Sequence, residues 1–303
     1  MIFPPYLTAG DTIGIVAPAR KVNREELEFA IRWWERKGFR LVLGKHLFAE
    51  NHQYAGSDAA RTEDFQNMLN NSDIKAIFCA RGGYGTLRII DNLEFLGFSL
   101  DPKWICGFSD ITVLHSHINK ICGIATIHST MPISANGDNP ENLETLFQIL
   151  IGENPVYECK PHSLNRIGAC TGALTGGNLS LIYALSGSIS DLDTTNKILF
   201  IEDVDEYLYH IDRMMLQLKR AGKLKNLAGL LVGSFTKMRD NDIAFGSTFE
   251  QIIREHCEEY RFPIAFNFPA GHDEVNVAMK FGGTYSLTVE NEKTVLLCEY
   301  SRA

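Results

Sequence analysis

The segment Trp104-Ile105-Cys106-Gly107-Phe108-Ser109-Asp110-Ile111-Thr112 places a serine where an apolar run ends in glycine and helix-compatible residues begin. On such a strand-to-helix elbow the hydroxyl is lifted above the sheet. The unpaired N–H groups of the first helical turn lie beside it, so the position suits a nucleophile with an oxyanion site attached. A serine there serves equally well as a helix N-cap. The segment also departs from G-x-S-x-G, because Ile111 stands where the second glycine would be. On this segment alone both readings stay open.

A serine nucleophile needs a base to take its proton and a third group to orient that base. Among the nine histidines, His115 and His117 follow Ser109 on the same expected helix and point along different faces. His46, His52, His162 and His256 lie in polar surroundings, His210 sits in a charged helix, and His128 ends a strand. His272 differs, because Phe268-Pro269-Ala270-Gly271-His272 is a strand end broken by proline and glycine, where a scaffold displays a side chain on a loop. For the orienting carboxylate, Ile198-Leu199-Phe200-Ile201 runs directly into Glu202 and Asp203, and both qualify. The competing reading makes them caps for a helix starting near Tyr207.

The turn Cys79-Ala80-Arg81-Gly82-Gly83-Tyr84-Gly85-Thr86 follows another apolar run. Its glycines permit close backbone approach to a ligand. It lacks the Gly-Lys-Ser/Thr ending of a phosphate loop and does not match G-x-G-x-x-G, so it carries little nucleotide-binding signal. As a neighbour of the Ser109 elbow it can supply a second oxyanion donor. Arg81 can pair bidentately with a substrate carboxylate, and Tyr84 is a second candidate substrate contact; a simple tight turn is the alternative.

These residues need a frame. Strand-like runs at Thr12–Ala17, Phe39–Leu43, Ile74–Cys79, Lys103–Gly107 and Ile124–His128 are separated by helix-length segments such as Asn23–Lys37, which predicts a parallel sheet covered on both faces. The predicted domains are an N-terminal α/β domain over 1–150 carrying the serine, a linker or crossover over 151–175, and a C-terminal domain over 176–303 carrying the acid and the histidine. Pro155, Pro161 and several glycines mark the linker. Beyond it, helices are expected at Asn178–Ser186 and Tyr207–Gly222, and strands at Lys197–Ile201, Ala228–Val232 and toward the C-terminus, an α+β pattern that accommodates a small barrel.

Composition excludes several classes. The net charge of -8 without a long Lys/Arg run leaves no basic footprint for nucleic acid. Seven cysteines with no C-x-x-C pair suit reduced thiols in a cytosol and indicate no metal or cofactor. No window reaches the roughly 20 apolar residues of a membrane span, and the start MIFPPYLTAGDTIG has neither a basic n-region nor a long apolar h-region. A cytoplasmic enzyme with no membrane partner is the expectation.

Seven segments in order carry a resemblance. They are Pro4–Asp11 with Ile15–Ala19, Ala80–Gly85, Gly107–Thr112, Thr175–Leu179, Ile201–Val204, Ile211–Met214 and Pro269–His272. Together they resemble the LD-carboxypeptidase family of serine peptidases, which also contains the microcin C self-immunity proteins. The resemblance implies Ser109, Glu202 and His272 as catalytic triad, choosing Glu202 over Asp203. It implies an oxyanion hole from the amides of Asp110 and Gly83, the latter preferred over Gly82. It further implies an N-terminal flavodoxin-like domain, a C-terminal domain containing a β-barrel, a homodimer, and hydrolysis of the bond before the terminal D-alanine of a murein tetrapeptide in cell-wall recycling. Asp205 and the pair Tyr209-His210 depart from many relatives, which leaves contacts near that helix unassigned. Two rivals stand beside this reading: an immunity-type hydrolase of a peptidyl-nucleotide, and a non-catalytic protein holding a small ligand in the crevice of its sheet.

Overall fold

The computed structural model describes residues 1–299 and divides into two compact units. Residues 1–153 and 277–281 form one; residues 154–276, continued from Gly282, form the other.

In the N-terminal unit, β1 (Thr12–Val16), β2 (Arg40–Leu43), β3 (Ile74–Cys79), β4 (Trp104–Gly107) and β5 (Thr126–His128) form a parallel sheet in the order 2-1-3-4-5. Apart from Lys75 in β3, the residues of β1, β3, β4 and β5 are all buried, whereas β2 at the edge is only partly covered. The helix Arg24–Arg36 starts at Asn23, which forms a capping box with Glu26 and satisfies the first free amides. Its buried residues Leu27, Ala30 and Trp34 recur at helical spacing, so one stripe faces the sheet. Trp34 sits against Phe39, Phe78 and Phe147. Removing a ring of that size from a core costs about 3–5 kcal/mol.

What matters for chemistry is the register. β3 and β4 lie side by side with Phe78 opposite Cys106, so the chain leaves Cys79 and Gly107 at neighbouring positions. Adjacent strands are about 4.8 Å apart. The glycine turn and the serine elbow must therefore emerge together at the C-terminal edge, where open α/β sheets bind ligands.

The second unit is built on β6 (Val156–Cys159), β7 (Gly168–Asn178), β8 (Lys197–Val204), β9 (Gly229–Thr236), β10 (Ile264–Ala265), β12 (Thr284–Val289) and β13 (Thr294–Cys298), ordered 10-9-8-7-12-13-6. β7 to β10 run parallel, and β12, β13 and β6 join antiparallel, giving a mixed sheet. Helices Leu179–Leu185, Leu208–Arg220 and Phe249–His256 complete its core around Ile182, Ile201, Met214, Met215 and Ile253.

Two predicted boundaries need correction. Much of the expected linker over 151–175 is sheet: β6 and most of β7 lie within it. Of the glycines taken as breakers, Gly168 and Gly172 are strand residues of β7. A Cβ at Gly172 would stand 2.9 Å from the Asn196 carbonyl oxygen, and further along β7, beyond the expected linker, one at Gly176 would collide with that of Phe200. Nor is the C-terminal domain one continuous stretch, because β11 (Met279–Phe281) leaves it to pair antiparallel with β5 in the first sheet. The three residues Met279-Lys280-Phe281 can signal a short strand but not which sheet receives it. The last four residues of the expected domain, 300–303, lie outside the described residues.

Candidate active site

Ser109 follows β4 after one residue, Phe108. Gly107 has φ 156° and Ser109 has φ 63°, a left-handed conformation that costs a non-glycine residue of order 1 kcal/mol. Residues Ser109–Ile111 form one tight 3-10 turn, and the helix Thr112–His117 follows it. The turn is supported from below by His115, whose Nε2 lies 2.9 Å from the Gly107 carbonyl oxygen. Burial pulls the His115 pKa down to about 4, more than the Gly107 hydrogen bond raises it. At neutral pH the ring is therefore uncharged, and Nε2 carries the proton it donates. His115 is thus a prop for the elbow, not its base.

The glycine turn closes over this elbow. A Cβ at Gly82 would stand 3.0 Å from Ser109 Cβ, 3.2 Å from its Oγ and 3.4 Å from the Asp110 amide nitrogen, so only hydrogen fits. Among the described residues the amides of Gly83 and Asp110 make no hydrogen bond. Gly82 is the residue packed on the serine, and the Gly83 amide follows it directly. Arg81 is half-buried and donates from Nη1 to the Lys21 carbonyl at 3.2 Å. Tyr84 is 44% exposed, its ring 6.2 Å from that of Tyr54.

The other two triad candidates meet in the second unit. His272 Nδ1 lies 2.6 Å from Glu202 Oε2, and Glu202 is wholly buried. Burial alone would lower the His272 pKa, but the charge and hydrogen bond of Glu202, with help from Asp203 and against Lys237, leave it above its ordinary 6.5. The backbone at His272 is tied as well: Thr236 Oγ1 donates to the His272 carbonyl oxygen at 2.8 Å.

Asp203 does something else. Its Oδ1 accepts from Asn178 Nδ2 and the Val204 amide, and its Oδ2 from the Ser180 amide, each at 2.9 Å. It therefore ties β8 to the start of the helix Leu179–Leu185, rather than capping the helix after Tyr207. Burial, then the neighbouring Glu202 charge, pushes its carboxyl up to about 7.

Strand geometry aims Glu202. Pairing of β8 with β9 runs Ile201 to Val232 and then Asp203 to Phe235, so β9 carries one extra residue opposite Glu202. Such a bulge turns the local side chains out of the regular alternation. Gly233 sits in it, where a Cβ would strike the Ala270 carbonyl and the Phe200 ring. At Gly271 (φ +121°) a Cβ would approach Ser234 Oγ to 2.5 Å and both Cβ and Oε2 of Glu202 to 2.9 Å. Gly271→Ala is accordingly expected to destabilise the fold by about 2 kcal/mol and to lower turnover at least about tenfold by separating His272 from Glu202. Urea unfolding and initial rates check this; wild-type values in both would contradict the close approach.

The signals missed in the sequence are the bulge, Gly233 and Gly271 as spacers, and the side chains of Asp110 and Arg61 discussed below. His256, expected in polar surroundings, is largely covered and has Nε2 2.8 Å from Asp212 Oδ1.

A serine on a left-handed elbow beside free amides, and a histidine backed by a buried glutamate, are the working parts of a serine hydrolase. Comparison with known proteins narrows the class. Residues 13–129 match the LD-carboxypeptidase N-terminal domain and residues 171–287 the LD-carboxypeptidase C-terminal domain. The chain is 33% identical to a probable murein peptide carboxypeptidase of Bacillus subtilis, over 97% of this chain and 93% of that one. It is 31% identical to a murein tetrapeptide carboxypeptidase of Pseudomonas aeruginosa, over 90% and 91%, and 23% identical to the microcin C7 self-immunity protein of Escherichia coli, over 97% and 95%. The crystal structure of muramoyltetrapeptide carboxypeptidase from Oxalobacter formigenes superposes with a TM-score of 0.87 at 26% identity, covering 96% of this chain and all of that one. The chain belongs to the LD-carboxypeptidase family and is a serine peptidase.

Proposed function

We propose that this protein hydrolyses the peptide bond before the terminal D-alanine of a murein tetrapeptide, with Ser109 as nucleophile, His272 as general base and Glu202 as its orienting acid. The observation that carries this reading is the 2.6 Å contact between the buried Glu202 and His272 Nδ1. A carboxylate on Nδ1 fixes the proton there and directs the Nε2 lone pair to an incoming hydroxyl. His272 takes the proton of Ser109 as Oγ attacks the carbonyl, and the amides of Gly83 and Asp110 receive the developing oxyanion. The same imidazolium then protonates the leaving D-alanine nitrogen. Water, deprotonated by His272, releases the acyl group and regenerates the serine.

Arg81 and Tyr84, on the turn that supplies Gly83, are assigned to the substrate's terminal carboxylate and backbone. A cavity of about 530 Å³ beside the His272 loop, lined in part by Ser234, Phe268, Asp273 and Glu274, suits the amino group of a diamino acid. The strand order 2-1-3-4-5 fits a flavodoxin-like first domain. The paired bonds between Arg166 and Ile264, at 2.9 and 3.1 Å, curl β10 back toward β7 and fit a small barrel in the second. Among the described residues no helix is long and apolar enough to cross a membrane. We place the enzyme in the cytoplasm, as a homodimer, acting on recycled wall fragments.

Mass spectrometry of products from purified muropeptides tests the assignment. The expected result is release of D-alanine from the tetrapeptide and not from the pentapeptide. Cleavage of a peptidyl-nucleotide with the tetrapeptide left intact would give the immunity-type activity instead.

A further inference from the structure

We propose that the side chain of Asp110 is a positioning residue that sets the distance between the two oxyanion amides, with Arg61 holding the same turn from its other side. This rests on Ser109 being the nucleophile and goes beyond it, because the amide of Asp110 was the only part of that residue so far given a role.

The two amides belong to different loops. One is the Asp110 amide on the serine elbow; the other is the Gly83 amide on the glycine turn. Their spacing is therefore not fixed by local backbone geometry, and an oxyanion hole works only if both donors converge on one point about 3 Å from each. Asp110 bridges the loops. Its carboxyl group is fully buried, and Oδ2 accepts the Thr86 amide at 2.8 Å, just beyond the end of the turn. Thus one residue carries the first donor on its backbone and ties down the loop that carries the second.

Arg61 acts from the opposite side. It is 2% exposed, and its Nη1 donates to the Gly85 carbonyl at 2.9 Å and also to that of Pro18. Gly85 (φ +157°) has no room for a Cβ, which would stand 2.6 Å from Arg61 Nη1 and 2.8 Å from Ala19 Cα. At its beginning the turn is joined to β1 through the Ala80 amide and the Val16 carbonyl at 2.7 Å, and the Arg20 amide donates to Gly82. Each end of the turn is fixed, and the charged residues fix the end nearest Gly83.

A packing role alone does not account for Asp110. Its Oδ1 is buried without a hydrogen-bond partner among the described residues, and burial raises the carboxyl pKa more than Thr86, Arg61 and Gly85 lower it, so the site carries a desolvation cost that its contacts offset only in part. An apolar side chain of similar size would avoid that cost but would leave the Thr86 amide unheld.

Steady-state kinetics on the tetrapeptide test the proposal. Asp110→Ala is expected to lower kcat about 100-fold, the effect of losing one oxyanion donor, with KM within about threefold. Asp110→Asn, whose amide oxygen can accept the same N–H, should recover kcat to within about tenfold of wild type. Arg61→Lys should lower kcat about tenfold, since an ammonium lacks the planar fork. Should Asp110→Ala fail to fold, Arg61→Lys decides the matter on the same kcat-against-KM split. A kcat within about threefold in the alanine variant overturns the proposal. So does a loss in all three variants that follows Tm and is not recovered by asparagine. Ser109→Ala is measured alongside: if it still turns over, the nucleophile assignment falls and this proposal with it, whereas an inactive Ser109→Ala with a normal Asp110→Ala removes this proposal alone.

Discussion

Ser109→Ala is expected to lower kcat for D-alanine release by at least about four orders of magnitude while leaving the fold intact, because the reaction then has no nucleophile and only the oxyanion amides and binding contacts remain. The backbone supplies a second, independent readout. Ser109 is held at φ 63°, a conformation that only glycine adopts without cost. Ser109→Gly should be equally inactive yet about as stable as wild type or up to about 1 kcal/mol more stable, since relief of strain offsets the added chain entropy. Stability and activity then move in opposite directions at one position, as expected where strain serves chemistry. Near-normal hydrolysis in either variant would remove Ser109 from the mechanism.

Why the elbow at Ser109 was legible in advance, and the Glu202–His272 contact less so, follows from the range of the interactions. The elbow is local: the four buried residues of β4, the last of them Gly107 at φ 156°, then Phe108 and Ser109, all within six positions. The order of residues alone exposes that pattern. The Glu202–His272 contact spans 70 residues, and a single chain of letters holds no record of which loop a strand end will face. Glu202 and Asp203 looked equivalent because the bulge in β9 that separates them depends on register with another strand. Once the extra residue lies opposite Glu202, Glu202 meets the histidine and Asp203 turns to Asn178 and Ser180.

The same limit explains the boundaries. Gly172 in β7 read as a breaker because its reason for being there, the close carbonyl of Asn196, lies on a neighbouring loop. β11 was unassignable because pairing with β5 is a tertiary event. Resemblance to a family supplied the choice of Glu202, which residue chemistry by itself left open, and the geometry now gives a physical reason for it.

Glu202→Gln carries the second large effect. The substituted amide can still accept from Nδ1–H, so His272 keeps its orientation, but the buried negative charge that stabilises the imidazolium is gone. A fall in kcat of about 10²–10⁴-fold is expected. The pH profile distinguishes this from simple damage. In the wild type His272 titrates above 6.5, because Glu202 outweighs the burial that would lower it. With the neutral ring as the proposed base, kcat/KM is expected to rise with pH along an acid limb centred above that value. With the charge removed, burial prevails and the limb moves to lower pH. Asp203, pushed up to about 7, titrates in the same range and is coupled to Glu202. Asp203→Asn separates the two, since it should leave an acid limb in place if His272 is the titrating base. By linkage, a raised His272 pKa stabilises the fold fully below about 6.5 and progressively less as pH rises through the folded value; that slope should flatten in Glu202→Gln. An acid limb that stays fixed in Glu202→Gln, or shifts upward, would mean that the glutamate does not act through His272.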